Sequence, residues 1–174
     1  DTGGATTLTG SKFADILIGG NSSDTLIGGA GSNSLTGGSG ADTFKISGTD
    51  TVTDLGNGSD ILQVLAGGTA TATLNQAWTA TKDSSNSGVA NINTTGNNVD
   101  LSAITGGSTG FKVTDTNLTS HASIVGSKFN DTIFVAGSDS VSGGAGADTF
   151  VFALATSNSN HVTLGDFSHG TDQI

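Results

Sequence analysis

Short apolar runs in the first 45 residues recur at a fixed interval, and each follows a polar, glycine-rich stretch. The repeating block is nine residues long, and its copies are GSKFADILI (10–18), GGNSSDTLI (19–27), GGAGSNSLT (28–36) and GGSGADTFK (37–45). Apolar and polar residues alternate after the sixth, usually acidic position, which is typical of a half-buried β-strand. The glycines allow tight turns with positive φ. Each block therefore predicts one turn and one strand.

Two such blocks predict one full coil of a flattened β-solenoid, in which loops eighteen residues apart stack about 4.8 Å from each other. Asp24 and Asp42 keep this spacing, and so do Asp15 and Asn33. Calcium takes about six to eight oxygen ligands from carboxylates and carbonyls, which two stacked loops supply. Carboxylates stacked without an ion would repel each other. Folding is therefore predicted to depend on calcium.

The same pattern returns later in the chain, at GSKFNDTIF (126–134) and GGAGADTFV (143–151). These blocks resemble the RTX family, which is defined by GGxGxDxUx nonapeptide repeats in proteins exported by type I secretion systems. The resemblance implies an all-β fold of calcium-loaded parallel β-roll (β-solenoid) arrays with an intervening β-rich segment. It also implies several bound Ca²⁺ ions.

The resemblance further implies a set of calcium ligands. In that family, one loop provides its second and fourth carbonyls and its sixth side chain, and the loop one coil later provides its first and third carbonyls and its sixth side chain. The sites predicted in this way are Gly20, Ser22 and Asp24 with Gly37, Ser39 and Asp42; Ser11, Phe13 and Asp15 with Gly28, Ala30 and Asn33; Gly38, Gly40 and Asp42 with Leu55, Asn57 and Asp60; and Ser127, Phe129 and Asp131 with Gly143, Ala145 and Asp148.

Two departures from the repeat change these expectations. Asn33 replaces the usual Asp, which predicts a weaker site there. Asp131 and Asp148 are seventeen residues apart because the block around Asp139, itself a predicted ligand, is one residue short. A distorted or missing site is expected at that point. Further metal candidates, for some of which a role as turn formers is equally expected, are Asp50, Asp54, Gly144, Gly146, Asp166 and Asp172.

A longer duplication surrounds the repeats. DLGNGSDI (54–61) parallels DFSHGTDQI (166–174), 112 residues later. The predicted domains are a first RTX β-roll with an end-capping segment (1–62), a Thr/Asn-rich β segment (63–123) and a second RTX β-roll that forms a truncated unit (124–174). The chain is accordingly expected to be a piece of a longer polypeptide or a processed product.

The middle segment lacks the nine-residue period, and two folds remain open for it. It is predicted to be either further β-solenoid or a small sandwich packed on the rolls. Its Thr-x-Thr runs are explained by the strand propensity of Thr, and no regular Thr ladder is expected.

Composition narrows the function classes. All fifteen acidic residues are Asp, the net charge is −10, and Cys is absent. The negative charge excludes nucleic acid as an obvious partner, and no apolar run is long enough to span a bilayer. Low cytosolic and high extracellular calcium would keep such repeats unfolded inside the cell and folded outside. The expected location is therefore secreted, either extracellular or on a bacterial cell surface.

No catalytic arrangement is visible in the sequence. A GxSxG motif is absent, and His121, His161 and His169 are scattered without metal-ligand spacing. The favoured function is that of a non-enzymatic, calcium-binding extracellular structural protein. Its repeats would fold on secretion and support self-association as a homo-oligomer, sheet or filament in a surface layer, fibre or matrix, with cell-surface polysaccharide as another partner. The alternative is a calcium-dependent folding and secretion module of a type I secreted enzyme or toxin, or a segment of an adhesin.

Overall fold

A computed structural model describes residues 3–119, 121–153, 161–168 and 170–174 of the chain. All regular structure in these ranges is β-strand, as predicted, and no helix occurs there. In chain order the strands are β1 (Thr7–Thr9), β2 (Ile16–Gly20), β3 (Thr25–Ile27), β4 (Ser32–Gly38), β5 (Thr43–Ile46), β6 (Thr49–Val52), β7 (Ile61–Val64), β8 (Thr69–Thr73), β9 (Trp78–Thr79), β10 (Ser85–Asn86), β11 (Val89–Asn93), β12 (Val99–Asp100), β13 (Gly106–Gly107), β14 (Lys112–Thr114), β15 (Ser123–Val125), β16 (Thr132–Val135), β17 (Ser140–Ser142), β18 (Thr149–Phe152) and β19 (Thr163–Leu164).

The strands form three parallel sheets that run along a β-solenoid. Sheet A has the order β1-β3-β5-β7-β10-β13, and sheet B has the order β18-β16-β14-β11-β8-β6-β4-β2. Sheet C has the order β19-β17-β15-β12-β9. Every strand pair is parallel, and successive coils add one strand to sheet B. The predicted parallel β-solenoid is therefore confirmed.

The number of faces changes along the solenoid. The first three coils use only sheets A and B and form a flattened roll. The next three coils have a strand in each sheet, and the last two use sheets B and C. The middle segment is thus further β-solenoid with a third face, and the alternative of a separate sandwich is wrong. Sheet B continues through all three predicted domains, whose boundaries stay a prediction.

The nine-residue period accounts for the first roll. Thr7 pairs with Thr25, Thr25 with Thr43, and Thr43 with Ile61, so that sheet A advances eighteen residues per coil. Within each strand, alternate side chains point inward because successive residues of a strand face opposite sides. In β5, Phe44 and Ile46 are fully buried. These inward side chains form one hydrophobic core that continues along the solenoid.

The third face begins at a buried tryptophan. Trp78 starts β9, the first strand of sheet C along the chain, and is 1% exposed. Its indole N–H donates a hydrogen bond to the backbone carbonyl of Asp60 at 3.2 Å. The indole therefore connects the last Asp of the first array to the first three-sided coil.

Hydroxyl side chains form two short rows on the outer surface of sheet B. Ser32, Thr49 and Thr69 are in register on sheet B, and a second row continues through Thr51 and Thr71. The rows end at β11, where Val89 pairs with Thr69 and Asn91 with Thr71. No regular Thr ladder therefore continues along sheet B. The sequence does not reveal the short rows, because the successive residues are seventeen and then twenty positions apart.

Candidate calcium-binding columns

Glycines bring the stacked loops into close contact. Gly38 and Gly40, the second and fourth residues of their block, have φ angles of 101° and 127°. A Cβ atom at Gly38 would collide with the carbonyl oxygen of Gly20 one coil earlier, and one at Gly40 would collide with that of Ser22. The second and fourth carbonyls therefore face the next loop, where the resemblance predicts calcium ligands.

The same arrangement recurs in the other stacked loops. Cβ atoms at Gly29 and Gly31 would meet the carbonyls of Ser11 and Phe13. Those at Gly144 and Gly146 would meet the carbonyls of Ser127 and Phe129, respectively. A side chain at any of these glycines would fill space next to a predicted ligand, which explains why these three loops, each stacked on an earlier nonapeptide loop, have glycine at both positions.

Three carboxylates stack at the corner that leads into sheet A, and we call Asp24, Asp42 and Asp60 the A-side column. Oδ1 of Asp42 accepts a hydrogen bond from the backbone N–H of Asp24 at 2.7 Å, and Oδ1 of Asp60 accepts one from that of Asp42 at 2.9 Å. The second oxygen of Asp42 lies against Gly37, the first residue of the same block. The carbonyl oxygen of Gly37 lies next to Gly19, one coil earlier. A Cβ atom added at Gly19 would be 2.5 Å from that oxygen.

The A-side column is buried without a compensating positive charge. Each of its three residues is 1% exposed, and no Lys lies within ion-pair distance of them in the described part of the chain. Oδ2 of Asp24 is buried and has no hydrogen-bond partner among the described residues. Burying ionised carboxylates unpaired is unfavourable. These oxygens and the nearby carbonyls are the hard ligands that calcium prefers, so that the residues present fit a calcium ion.

Two carboxyl groups of this column, those of Asp42 and Asp60, have raised pKa values. Burial raises the pKa of Asp42 to about 6, and the charges of Asp60, Asp24 and Asp54 add to the effect. Burial also raises the pKa of Asp60, although backbone hydrogen bonds lower it in part. A divalent cation between these groups would oppose the shift, because an opposite charge nearby favours the ionised carboxylates.

The opposite corner of the first roll, which leads into sheet B, contains an amide among the acids. We call Asp15, Asn33 and Asp50 the B-side column. Oδ1 of Asn33 accepts a hydrogen bond from the backbone N–H of Asp15 at 3.0 Å, and its Nδ2 donates one to Oδ1 of Asp50 at 2.6 Å. Burial raises the pKa of Asp50, and the hydrogen bonds from Asn33 limit the rise.

The second array builds a similar column from Asp131, Asp148 and Asp172. Asp148 Oδ1 accepts the backbone N–H of Asp131 at 2.8 Å, and Asp172 Oδ1 accepts that of Asp148 at 3.0 Å. Burial raises the pKa of Asp148 to about 6, with contributions from the charges of Asp131, Asp172 and Asp166. Stacking therefore continues despite the seventeen-residue spacing, since Thr132 pairs in register with Thr149.

Serine hydroxyls hold the first Asp of each array, a role that sequence reasoning missed. Asp131 Oδ2 accepts the backbone N–H of Ser127 at 2.6 Å and its hydroxyl at 3.0 Å. Ser11 makes the same two bonds to Asp15, at 2.6 and 2.9 Å. The shared GSKF sequence was the available signal, because both blocks replace the second glycine by Ser.

The duplicated segments at 54–61 and 166–174 repeat their contacts as well as their sequence. Asp54 accepts the backbone N–H groups of Gly37 and Gly38, at 3.0 and 2.7 Å. Asp166 accepts those of Gly143 and Gly144, both at 2.8 Å. Hydrogen bonds from these amides and from the hydroxyl of Ser142 outweigh the effect of burial and lower the pKa of Asp166. Both residues thus cap the last nonapeptide loop of their array, whether or not they also contact an ion.

The remaining predicted ligands have mixed surroundings. The side-chain amide of Asn57 donates a hydrogen bond at 2.6 Å to the carbonyl of Gly38, which is a predicted ligand of the third site. The side chain of Leu55 is fully buried in the core. Asp139 Oδ1 accepts the backbone N–H of Ala122 at 2.9 Å, at the corner leading into sheet C. Ser39 and Ala145 stack on the preceding coil. Their backbone N–H groups donate hydrogen bonds to the carbonyls of Gly20 and Ser127, respectively. Ala30 is exposed on its loop.

Other types of site receive no support from the described residues. No group of three His or Asp side chains converges there in a way that could hold a metal, so that backbone carbonyls would supply most of the ligands in these columns. His121 and His161 are exposed, and His169 lies outside the described residues. No helix in the described ranges is long and apolar enough to cross a membrane.

Comparison with known proteins agrees with this geometry. A family model described as the RTX calcium-binding nonapeptide repeat matches residues 2–35, 18–44 and 123–150, which together cover less than half of the 174 residues. No curated protein and no solved structure matches the chain. The matched segments contain the glycine loops and most of the stacked carboxylates described above. Both arrays of this β-solenoid are therefore RTX calcium-binding nonapeptide repeats.

Proposed function

We propose that this chain is a calcium-binding structural module of a secreted protein, in which calcium ions between stacked loops complete the fold. The observation that carries the proposal is the A-side column, where three buried carboxylates stack without a positive partner in the described chain. Calcium supplies the missing charge and uses the carbonyls of the same loops as further ligands. Binding free energy would then contribute directly to folding.

Folding outside the cell follows from the same chemistry. RTX repeats are typical of secreted proteins, and a chain with weak extracellular-type sites would stay unloaded in the cytosol and become loaded where calcium is millimolar. Nothing in the proposed function requires catalysis, because the buried acids are all used in loop corners. The proposed location is the extracellular space or the bacterial cell surface.

We further propose that loaded copies associate with each other into a sheet, filament or surface layer. The outer face of β2 has apolar side chains. On β2, Ile16 and Ile18 are 76% and 64% exposed. Exposed apolar side chains of this kind favour contact with another copy, and a cell-surface polysaccharide is a second proposed partner.

The test is particle size and shape in EGTA and in millimolar calcium, measured by light scattering and negative-stain microscopy on one sample. We expect ordered assemblies only with calcium. Ile16→Lys should abolish them, whereas Val89→Lys should not, because Val89 is 51% exposed but the next outward residue of β11 is Asn91, not a second apolar side chain. A compact calcium-loaded monomer would contradict assembly and favour a folding module for another domain. Absence of any calcium response would refute the calcium proposal itself.

A further inference from the structure

The two corners of the first roll differ at their middle residue, which is Asp42 in the A-side column and Asn33 in the B-side column. In the A-side column, Oδ2 of Asp42 lies against Gly37, the first residue of its block. In the B-side column, Nδ2 of Asn33 lies against Gly28, where a Cβ atom would be 2.9 Å from it. Oδ2 of Asp50 lies nearer still to that position, at 2.5 Å, and is buried without a hydrogen-bond partner among the described residues. Asn and Asp have the same shape, so that the difference between the columns at this position is an NH₂ group in place of a carboxylate oxygen.

The neighbours fix the orientation of the Asn33 amide. The backbone N–H of Asp15 is a donor and must face the amide oxygen, at 3.0 Å. The carboxylate of Asp50 is an acceptor and must face the amide nitrogen, at 2.6 Å. A flipped amide would place donor against donor and acceptor against acceptor. Asn33 is 4% exposed, so that water does not replace either bond easily.

This orientation places nitrogen, which is not a calcium ligand, where Asp42 has its second carboxylate oxygen. Calcium binds oxygen, but the amide oxygen is engaged by the loop before and the amide nitrogen points to the loop after. The bond from Asn33 to Asp50 is also charge-assisted, because a carboxylate accepts it, and such bonds are stronger than neutral ones. It joins the loops 28–33 and 45–50 directly, side chain to side chain.

We propose that Asn33 is a built-in substitute for one calcium ligand, which joins the B-side loops without an ion through its bond to Oδ1 of Asp50 and makes the B-side column less dependent on calcium than the A-side column. This inference rests on the proposed function and departs from the sequence prediction that Asn33 is a ligand. Its consequence is a first roll with one edge that is joined at low calcium and one edge that closes when calcium arrives.

The test is a reciprocal pair of isosteric substitutions in the full chain, Asn33→Asp and Asp42→Asn. Bound calcium per chain is measured by equilibrium dialysis, and the Tm in EGTA is measured by circular dichroism and by the fluorescence of Trp78, the single tryptophan. Asn33→Asp should gain one calcium ion and lower the Tm in EGTA, because it places a third carboxylate between Asp15 and Asp50. Asp42→Asn should lose at least one ion and raise the Tm in EGTA.

A third variant separates the loss of the Asn33 hydrogen bonds to Asp15 and Asp50 from the addition of a negative charge. Asn33→Ala should lower the Tm in EGTA without any gain of calcium, and it remains informative if Asn33→Asp folds only in calcium. The inference is overturned if Asn33→Asp binds the wild-type number of ions more tightly, since Asn33 would then already line an occupied site. It is also overturned if Asn33→Ala has the wild-type Tm in EGTA. If the wild type binds no calcium, the proposed function fails, while the Tm values still test the bridge.

Discussion

The first roll and the middle segment are consecutive parts of one solenoid, but they fill their corners with different chemistry. In the first roll, the A-side column stacks three buried carboxylates. In the following coils, neutral groups replace them: Ser84 accepts the backbone N–H of Leu62 at 3.2 Å, and Asn86 accepts the N–H of Gly88 and donates to the carbonyl of Gly110. Asp115 is the one buried carboxylate of the described middle segment.

The difference teaches that calcium dependence is a local property of the corners. Both regions have parallel strands, in-register pairing and a shared core. Neutral side chains satisfy the backbone groups of a corner without a net charge, whereas stacked carboxylates need a cation or a proton. In a solenoid, each coil contacts mainly its neighbours, so that regions of different stability can coexist.

Calcium removal should therefore affect the two regions unequally, and this is the largest effect that we expect. In EGTA, backbone amides of the first roll such as Asp24 and Asp42 should exchange with solvent about 100-fold faster than in calcium. Amides of β8 and β11 should keep most of their protection. Hydrogen exchange followed by mass spectrometry measures both regions in one sample. Equal acceleration everywhere would show that the solenoid unfolds as one unit and would contradict the comparison.

Two glycines provide the next test, because they share a backbone conformation but differ in surroundings. Gly38 and Gly67 have φ angles of 101° and 83°. A Cβ at Gly38 collides with the carbonyl of Gly20, whereas a Cβ at Gly67 has no atom within 4 Å. Gly67→Ala should cost about 1 kcal/mol in the free energy of unfolding from backbone strain alone. Gly38→Ala should cost about 3 kcal/mol, since steric overlap adds to the strain.

Urea unfolding in millimolar calcium measures both glycine variants. Gly38→Ala should also weaken calcium binding, because Gly20 provides a predicted ligand carbonyl. Similar losses for the two variants would mean that the loops relax around the added methyl group and that close stacking is not required.

Acidity should give the smallest effect, and its sign should depend on calcium. In EGTA the folded chain holds protons more tightly than the unfolded chain, because the pKa of Asp42 and that of Asp148 are each raised from 3.8 to about 6. The contribution of these groups to stability is full below pH 4 and is lost as the pH rises through 6. The Tm in EGTA should therefore rise by several degrees when the pH is lowered from 7 to 5.

Calcium should reverse this dependence of the Tm on pH. Protons compete with the ion for the same carboxylates, so that the stabilisation by calcium is lost as the pH falls towards 5. Thermal unfolding across this range, with and without calcium, gives two curves that converge on acidification. Parallel curves would indicate that the buried carboxylates do not bind the ion.

The sequence alone determined the repeating unit of this protein. Nine residues per block predicted eighteen per coil, because each block contains one strand and one turn and two blocks form a coil. The positions of Gly38 and Asp42 followed from that register. The correspondence of Asp54 with Asp166 was also visible in the sequence, and both make equivalent hydrogen bonds to the last glycine loop of their array. Such features depend on local geometry, which short sequence patterns encode.

Only the tertiary structure decided which faces the repeats occupy. β5 and β18 follow equivalent blocks, yet β5 lies in sheet A and β18 in sheet B. The middle coils insert a third strand each, beginning at Trp78, and this moves the second array by one face. The partner of Asn33 was equally hidden, because Asp50 follows a shortened loop. Pairing between coils depends on the summed lengths of all intervening turns, and a non-periodic segment contains no local signal for that sum.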